Sequence, residues 1–239
     1  MAGQVGFLPG AFRVPDRVRG VLFDLDDTLS DYSSTRNAAV LEWTGNLPGW
    51  HLGPVETLAR WQGLEDEWFD RYTRGEIDLL GQRAGRVRGF LPWASDWSIE
   101  RAIEEFDQLR AIYEANWRPF PDARDALARA LGSGRPVGVL TNGETAYQTR
   151  KLRALGLADE RLIMLASSDL PAAKPDVRAF EAACLRLGTT AGETLMIGDN
   201  PVTDVAGGRA AGLMVCHLCR EAQTPQAEIW VASLAEIEF

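Results

Sequence analysis

Hydrophobic and polar positions fall into two textures along the chain. From about residue 118 onward, short apolar runs alternate with helical stretches that end in glycine. Val137–Leu140, Leu162–Leu165, Thr194–Ile197 and Met214–Leu218 are continuous apolar runs of strand length, and Glu228–Val231 reads as a last strand before a short terminal helix. Between them, Glu144–Leu155, Pro175–Leu187 and Val202–Ala211 read as helices stopped by Gly156, Gly188 and Gly212. Strands of this kind alternating with helices predict a parallel sheet covered on both faces. Val18, Val21, Leu22 and Phe23 predict one more buried strand near the N-terminus.

Residues 31–117 follow another period. Leu58, Trp61, Leu64, Trp68 and Tyr72 recur at helical spacing, as do Ile99, Ile103, Phe106 and Tyr113, with no strand between them. Seven of the eight tryptophans lie in this stretch, which fits a helix-bundle core, with one or two rings available to a substrate pocket. The expected organisation is a lead-in over residues 1–17, an α/β core over 18–30 and 118–239, and a helical insertion over 31–117.

Composition narrows the partners. A formal charge of −9 and the lack of a basic stripe argue against nucleic acid and anionic membrane surfaces. Arg83, Arg86 and Arg88 read as the solvated face of a helix. No run approaches the roughly 18 apolar residues of a membrane span, and the N-terminal stretch lacks a signal-peptide core, so a cytoplasmic setting is expected. Three cysteines fit a reducing compartment. Cys216-His217-Leu218-Cys219 has the look of half a zinc site without a second close pair, and packing of Cys216 in a late strand is the better reading.

The chemistry concentrates at strand ends. FDLDDTL, residues 23–29, places Asp24, Asp26 and Asp27 at the tip of the first strand. Ligands of parallel α/β sheets bind outside the carboxyl ends of the strands. Thr141-Asn142 ends the second predicted strand, Lys174 follows the third, and Asp199 with Asp204 follows the fourth. Phosphoryl transfer asks for this inventory. Asp24 can attack phosphorus, and Asp26 can protonate the leaving alcohol and then deprotonate water. The Thr141 hydroxyl and the main-chain N–H groups of Asn142 and Gly143 can receive an anion, and Lys174 adds a point charge. Mg²⁺ suits Asp24 and Asp199 because it takes hard oxygen ligands, and with Lys174 it would keep Asp24 ionised. A small phosphorylated metabolite is the expected partner.

The ordered set FDLDDT (23–28), LTNG (140–143), AKPD (173–176) and IGDNPVTD (197–204) resembles the four motifs of the haloacid dehalogenase superfamily. The resemblance implies a Rossmann-like parallel-sheet core with an inserted α-helical cap domain. It implies Asp24 as nucleophile, Asp26 as acid and base, and Mg²⁺ held by Asp24, Asp199 and the main-chain carbonyl of Asp26. Thr141 and Lys174 would hold phosphate, while Thr28 and Asp204 would support the metal site or Lys174. The dehalogenases of this superfamily lack the second aspartate, so Asp26 points to phosphate chemistry. Hexose phosphomutases usually carry Gly-Val where Asp27-Thr28 stands here. Gly-Asp-Asn-Pro-Val-Thr-Asp and Gln82-Arg83 are similar to the branch holding pyrimidine nucleotidases and acylneuraminate phosphatases. The leading expectation is a Mg²⁺-dependent phosphatase. A phosphomutase and a non-catalytic phospho-ligand-binding protein are the alternatives, and the oligomeric state stays open.

Overall fold

The computed structural model describes residues 11–220 and 224–239, so most of the expected lead-in lies outside the described residues. The chain forms two compact units: the part up to Asp31 together with Pro119–Phe239, and Tyr32–Arg118.

In the first unit the elements run β1 (Phe12–Arg13) and β2 (Gly20–Phe23), then, after the second unit, α5 (Ala123–Gly132), β3 (Val137–Thr141), α6 (Thr145–Ala154), β4 (Leu162–Ala166), α7 (Val177–Leu187), β5 (Thr194–Gly198), α8 (Gly207–Ala210), β6 (Met214–Leu218), β7 (Ile229–Val231) and β8 (Ile237–Glu238). Six strands form one parallel sheet in the order β4-β3-β2-β5-β6-β7. The predicted strands appear within a residue or two of their expected bounds. Every residue of β2, β3 and β5 is buried, which is why these runs show no polar alternation. Leu22, Leu140, Leu165, Phe180, Leu187 and Met196 belong to one core cluster between sheet and helices.

Two features differ from the sequence reading. The expected terminal helix is one 3-10 turn, Leu234–Glu236, followed by β8, which pairs with β1 in a separate parallel ribbon. The expected helix over 202–211 opens as a π-turn, Pro201–Ala206, before it tightens into α8.

Chain order decides where the chemistry can sit. The chain lays β3 and β4 to one side of β2, then returns to place β5 on the other side. The β2/β5 boundary is therefore the point where strand order reverses, and the loops leaving these two strands diverge into a crevice.

The second unit is helical: α1 (Tyr32–Gly45), α2 (Pro54–Thr73), α3 (Leu79–Phe90) and α4 (Ile99–Ala115). Its core contains Trp43, Trp61, Val87, Phe90 and Phe106, with Trp50 and Trp97 packed against it. Phe90 stacks on Trp43 and Trp50 and meets Trp61 edge-on at 5.1 Å. Such ring pairs add about 0.5–1.5 kcal/mol each beyond the area they bury. Glycines in α3 serve close packing: a side-chain carbon at Gly85 would stand 2.3 Å from the Trp68 ring. The arginine cluster is not a solvated face. Arg86 is buried, and its guanidinium meets the Glu65 carboxylate at 2.5 Å. Among the described residues no helix is long and apolar enough to cross a membrane.

Candidate active site

The site is built outward from the end of β2. Asp24 donates its N–H to Ile197 of β5 at 2.9 Å, which extends the β2/β5 ladder by one residue and delivers the Asp24 side chain to the crevice. Beyond it the chain turns sharply: Leu29 and Ser30 both donate to the Leu25 carbonyl, and Asp27 takes a left-handed φ of 56°. Aspartate tolerates that region better than most residues. The turn buries Thr28 fully and leaves Asp26 half-buried.

The end of β5 supplies the facing carboxylates. Thr28 donates its hydroxyl to Asp199 at 2.9 Å and accepts the Asp199 N–H at 3.1 Å, so the two loops are stitched together. Asn200 caps the following turn by accepting from Val202 and Thr203. The widened π-turn then carries Asp204 back beneath the loop, where its carboxylate accepts the Asn200 N–H at 3.0 Å. Gly198 is required by this return. A Cβ there would lie 2.3 Å from the Asp204 carboxylate.

Lys174 is 2% exposed and donates to Asp24 and to Asp204, at 2.6 Å each. Asn142 sets its position from behind, pairing its side-chain amide with the N–H and carbonyl of Lys174 at 2.8 Å each, beside a cis Lys174–Pro175 bond. The Asn142 side chain is thus committed to the backbone of Lys174, and of the two main-chain N–H groups expected to receive an anion, that of Gly143 is donated to the Ser167 hydroxyl at 2.9 Å. Thr141 accepts from Gln148 at 3.0 Å, which leaves its hydroxyl hydrogen to donate.

Electrostatics follow from this crowding. Burial is the first cause that raises the Asp24 carboxyl, and the Asp204 charge adds to it; Lys174 opposes, and the outcome is a pKa of about 7. Asp199 is raised well above the carboxylate range, by burial first and then by Asp204 and Asp24. Burial would lower Lys174, but the two carboxylates outweigh it and hold the ammonium charged. Ligand oxygens of Asp24, Asp199 and Asp204 lie within 4.8 Å of one another. Hard oxygens with one cation among them fit a divalent ion such as Mg²⁺. Asp204 already serves Lys174 and the Asn200 N–H, so Asp24 and Asp199 are the carboxylates best placed to ligate.

Two contributors carried no local signal in the sequence. Lys151, fully buried on α6, donates to the Asp26 carboxylate across 125 positions of chain. His217, on β6, is also fully buried. It accepts the Gln226 N–H on Nδ1 at 3.0 Å, which leaves Nε2 protonated to donate to the Asp199 carbonyl at 2.9 Å. The Cys216-His217-Leu218-Cys219 segment is therefore a buried packing strand, and all three cysteines are free thiols.

The arrangement has known counterparts. The family profile described as haloacid dehalogenase-like hydrolase matches residues 18–212. The chain is 31% identical to a phosphoserine phosphatase of Thermus thermophilus, covering 91% of this chain and 96% of that one. It is 28% identical to the pyrimidine 5'-nucleotidase YjjG of Escherichia coli, covering 91% and 95%. Among solved structures, the HAD-hydrolase YfnB of Bacillus subtilis, bound to magnesium, shares the fold with a TM-score of 0.75 at 22% identity, covering 92% of this chain and 97% of that one. Four strand-end motifs on one reversed parallel sheet, and a profile that spans most of the sequence, place this chain in the haloacid dehalogenase-like hydrolase family.

Proposed function

We propose that this protein is a Mg²⁺-dependent phosphatase of small phosphomonoesters that acts through an aspartyl-phosphate on Asp24. The observation that carries the reading is the pairing of two differently held carboxylates at one strand tip. Asp24 is buried against Lys174, while Asp26, two residues on, is half-buried and held by Lys151. The first suits attack on phosphorus and the second suits proton transfer to and from solvent-borne groups. Relatives named for phosphoserine and pyrimidine-nucleotide hydrolysis support the same reaction class.

In this reading Asp24 Oδ attacks phosphorus and the P–O bond to the alcohol breaks as Asp26 gives that oxygen a proton. Asp26 then takes a proton from water as the water attacks phosphorus, releasing phosphate and restoring Asp24. Lys174 and the Thr141 hydroxyl steady the phosphoryl oxygens. Asp24, Asp199 and the Asp26 carbonyl would hold Mg²⁺, which supplies charge stabilisation of the phosphoryl group when bound. Every residue assigned to chemistry lies in the α/β unit. The free, buried thiols support a cytoplasmic setting.

The test is phosphate release from a panel of phosphometabolites, followed by turnover of the best one in ¹⁸O-labelled water. Label should appear in free phosphate. Isomerised sugar phosphate with little free phosphate would identify a phosphomutase, and tight phospho-ligand binding without turnover would identify a binding protein.

A further inference from the structure

Arg220, two residues past the end of β6, belongs to none of the four motifs. Its guanidinium grips Asp122 with both terminal nitrogens at 2.9 Å, and Nη2 also donates to the Thr28 carbonyl at 2.7 Å. The guanidinium carbon lies 3.8 Å from the centre of the Phe120 ring, a cation–π stack that fixes the plane of the fork. Asp122 is held in turn by the Ser233 hydroxyl at 2.6 Å and the Leu234 N–H at 2.9 Å. Both charged side chains are largely buried, at 16% and 13% exposure. Four segments distant in sequence, at Thr28, Phe120–Asp122, Arg220 and Ser233–Leu234, therefore meet on one guanidinium and its counter-ion.

What the guanidinium touches is the back of the nucleophile loop. Thr28 is fully buried, and its hydroxyl is the group that orients Asp199. The loop has a second tie to the same segment, since Phe120 donates to the Leu29 carbonyl at 3.0 Å and Ser30 bridges Pro119. A strained turn, with Asp27 in the left-handed region, keeps one shape only when its surroundings over-determine it. We propose that Arg220 is a positioning residue: it fixes the Thr28 main chain so that the Thr28 hydroxyl presents Asp199 correctly to the metal site. The inference rests on the reading of Asp24 and Asp199 as metal ligands. Arginine is required, because a planar fork can serve Asp122 bidentately and still reach a carbonyl, which a lysine point charge cannot do.

The experiment compares wild type, Arg220→Lys, Arg220→Ala and, as a control that loosens Asp122 without touching Thr28, Ser233→Ala. Mg²⁺ affinity is measured calorimetrically without substrate, kcat and KM are measured with it, and amide exchange is followed over residues 25–30 in the metal-free protein. Arg220→Lys keeps a buried positive charge beside Asp122, so it provides a folded variant should Arg220→Ala fail to fold. We expect exchange in the loop to accelerate in Arg220→Lys, Mg²⁺ affinity and kcat to fall by about 10–100-fold, the usual cost of losing a support behind a metal ligand, and KM to change little. Ser233→Ala should match wild type in affinity and kcat. Unchanged loop exchange in Arg220→Lys overturns the proposal, as does faster exchange with affinity and kcat intact. Wild type that turns over but binds no Mg²⁺ would instead remove the metal reading, leaving loop exchange and kcat to judge the clamp.

Discussion

Two buried charged clusters, one in each unit, are built on opposite balances. In the α/β unit three carboxylates, Asp24, Asp199 and Asp204, share one ammonium, Lys174. In the helical unit one carboxylate, Glu65, lies between two guanidiniums, Arg36 at 3.0 Å and Arg86 at 2.5 Å, and also accepts from Tyr32 at 2.6 Å. Arg86 is further walled by Trp61 and Phe106, and Gln82 accepts one of its donors. The first cluster has two of its carboxyls raised, by burial first and then by the neighbouring carboxylate charges that one ammonium does not offset. The second gives its carboxylate three donors. An uncompensated cluster is a seat for an incoming cation and costs stability until it is filled, whereas a compensated one holds helices in register. Charge balance, rather than burial, separates the site from the scaffold.

That contrast predicts a double dissociation. Asp24→Asn should lower turnover by about ten-thousandfold or more, the scale of losing a nucleophile. The thermal midpoint of the metal-free protein should stay level or rise, since one of the repelling charges is gone. A variant retaining more than a hundredth of wild-type rate would sink the assignment of Asp24. Metal removal should act on the same cluster. EDTA should silence turnover and Mg²⁺ restore it, while Ca²⁺, with its larger and looser coordination sphere, should inhibit. Full activity after exhaustive chelation would refute the metal role.

In the helical unit the effect should appear in stability. Glu65→Gln removes the carboxylate that the buried Arg86 guanidinium and the partly buried Arg36 share, and should destabilise by about 3–5 kcal/mol, read from urea unfolding. A loss under about 1 kcal/mol would show that the cluster is hydrated and not structural. The smallest expected effect concerns Asp122. Burial pushes its carboxyl up, but the bonds from Arg220, Ser233 and Leu234 outweigh this and leave it below the ordinary value. A carboxyl lowered on folding adds stability above its unfolded pKa of about 4, and that stability is lost as pH falls through the folded value. Asp122→Asn should therefore flatten the fall in stability below about pH 4. An unchanged acid slope would mean that Asp122 is not depressed.

Much of this was legible in the residues because the relevant rules are local. A buried parallel strand is an unbroken apolar run, and the fold aims whatever follows it at one rim, so Asp24, Thr141, Lys174 and Asp199 could be grouped before any contact was known. Contacts made across the chain left no such trace. Lys151 and Asp26 are 125 positions apart, and Arg220 and Asp122 are 98 apart. A lysine or arginine on a helix or past a strand reads as solvated until its partner is seen. Arg86 departs from its sequence expectation for that reason: its neighbours Arg83 and Arg88 read as a wet face, while the acid that draws it inward, Glu65, stands on another helix. The β1–β8 ribbon was invisible because two-residue strands have no period.

The place of β2 in the sheet has a consequence for how the molecule is made. Gly20 pairs with Thr194, 174 positions later, and Val21 pairs with Val137, with the helical insertion in between. At a synthesis rate of about 5–20 residues per second, the apolar strand that leads into Asp24 waits roughly 9–35 s for its second neighbour to be made. Closing so long a loop delays the central pairing, whereas the helices of Tyr32–Arg118 can gather their own aromatic core from contacts close in sequence. Asp24 is therefore made long before it can be seated, and the nascent chain brings it together with Asp199 only after β5 has formed.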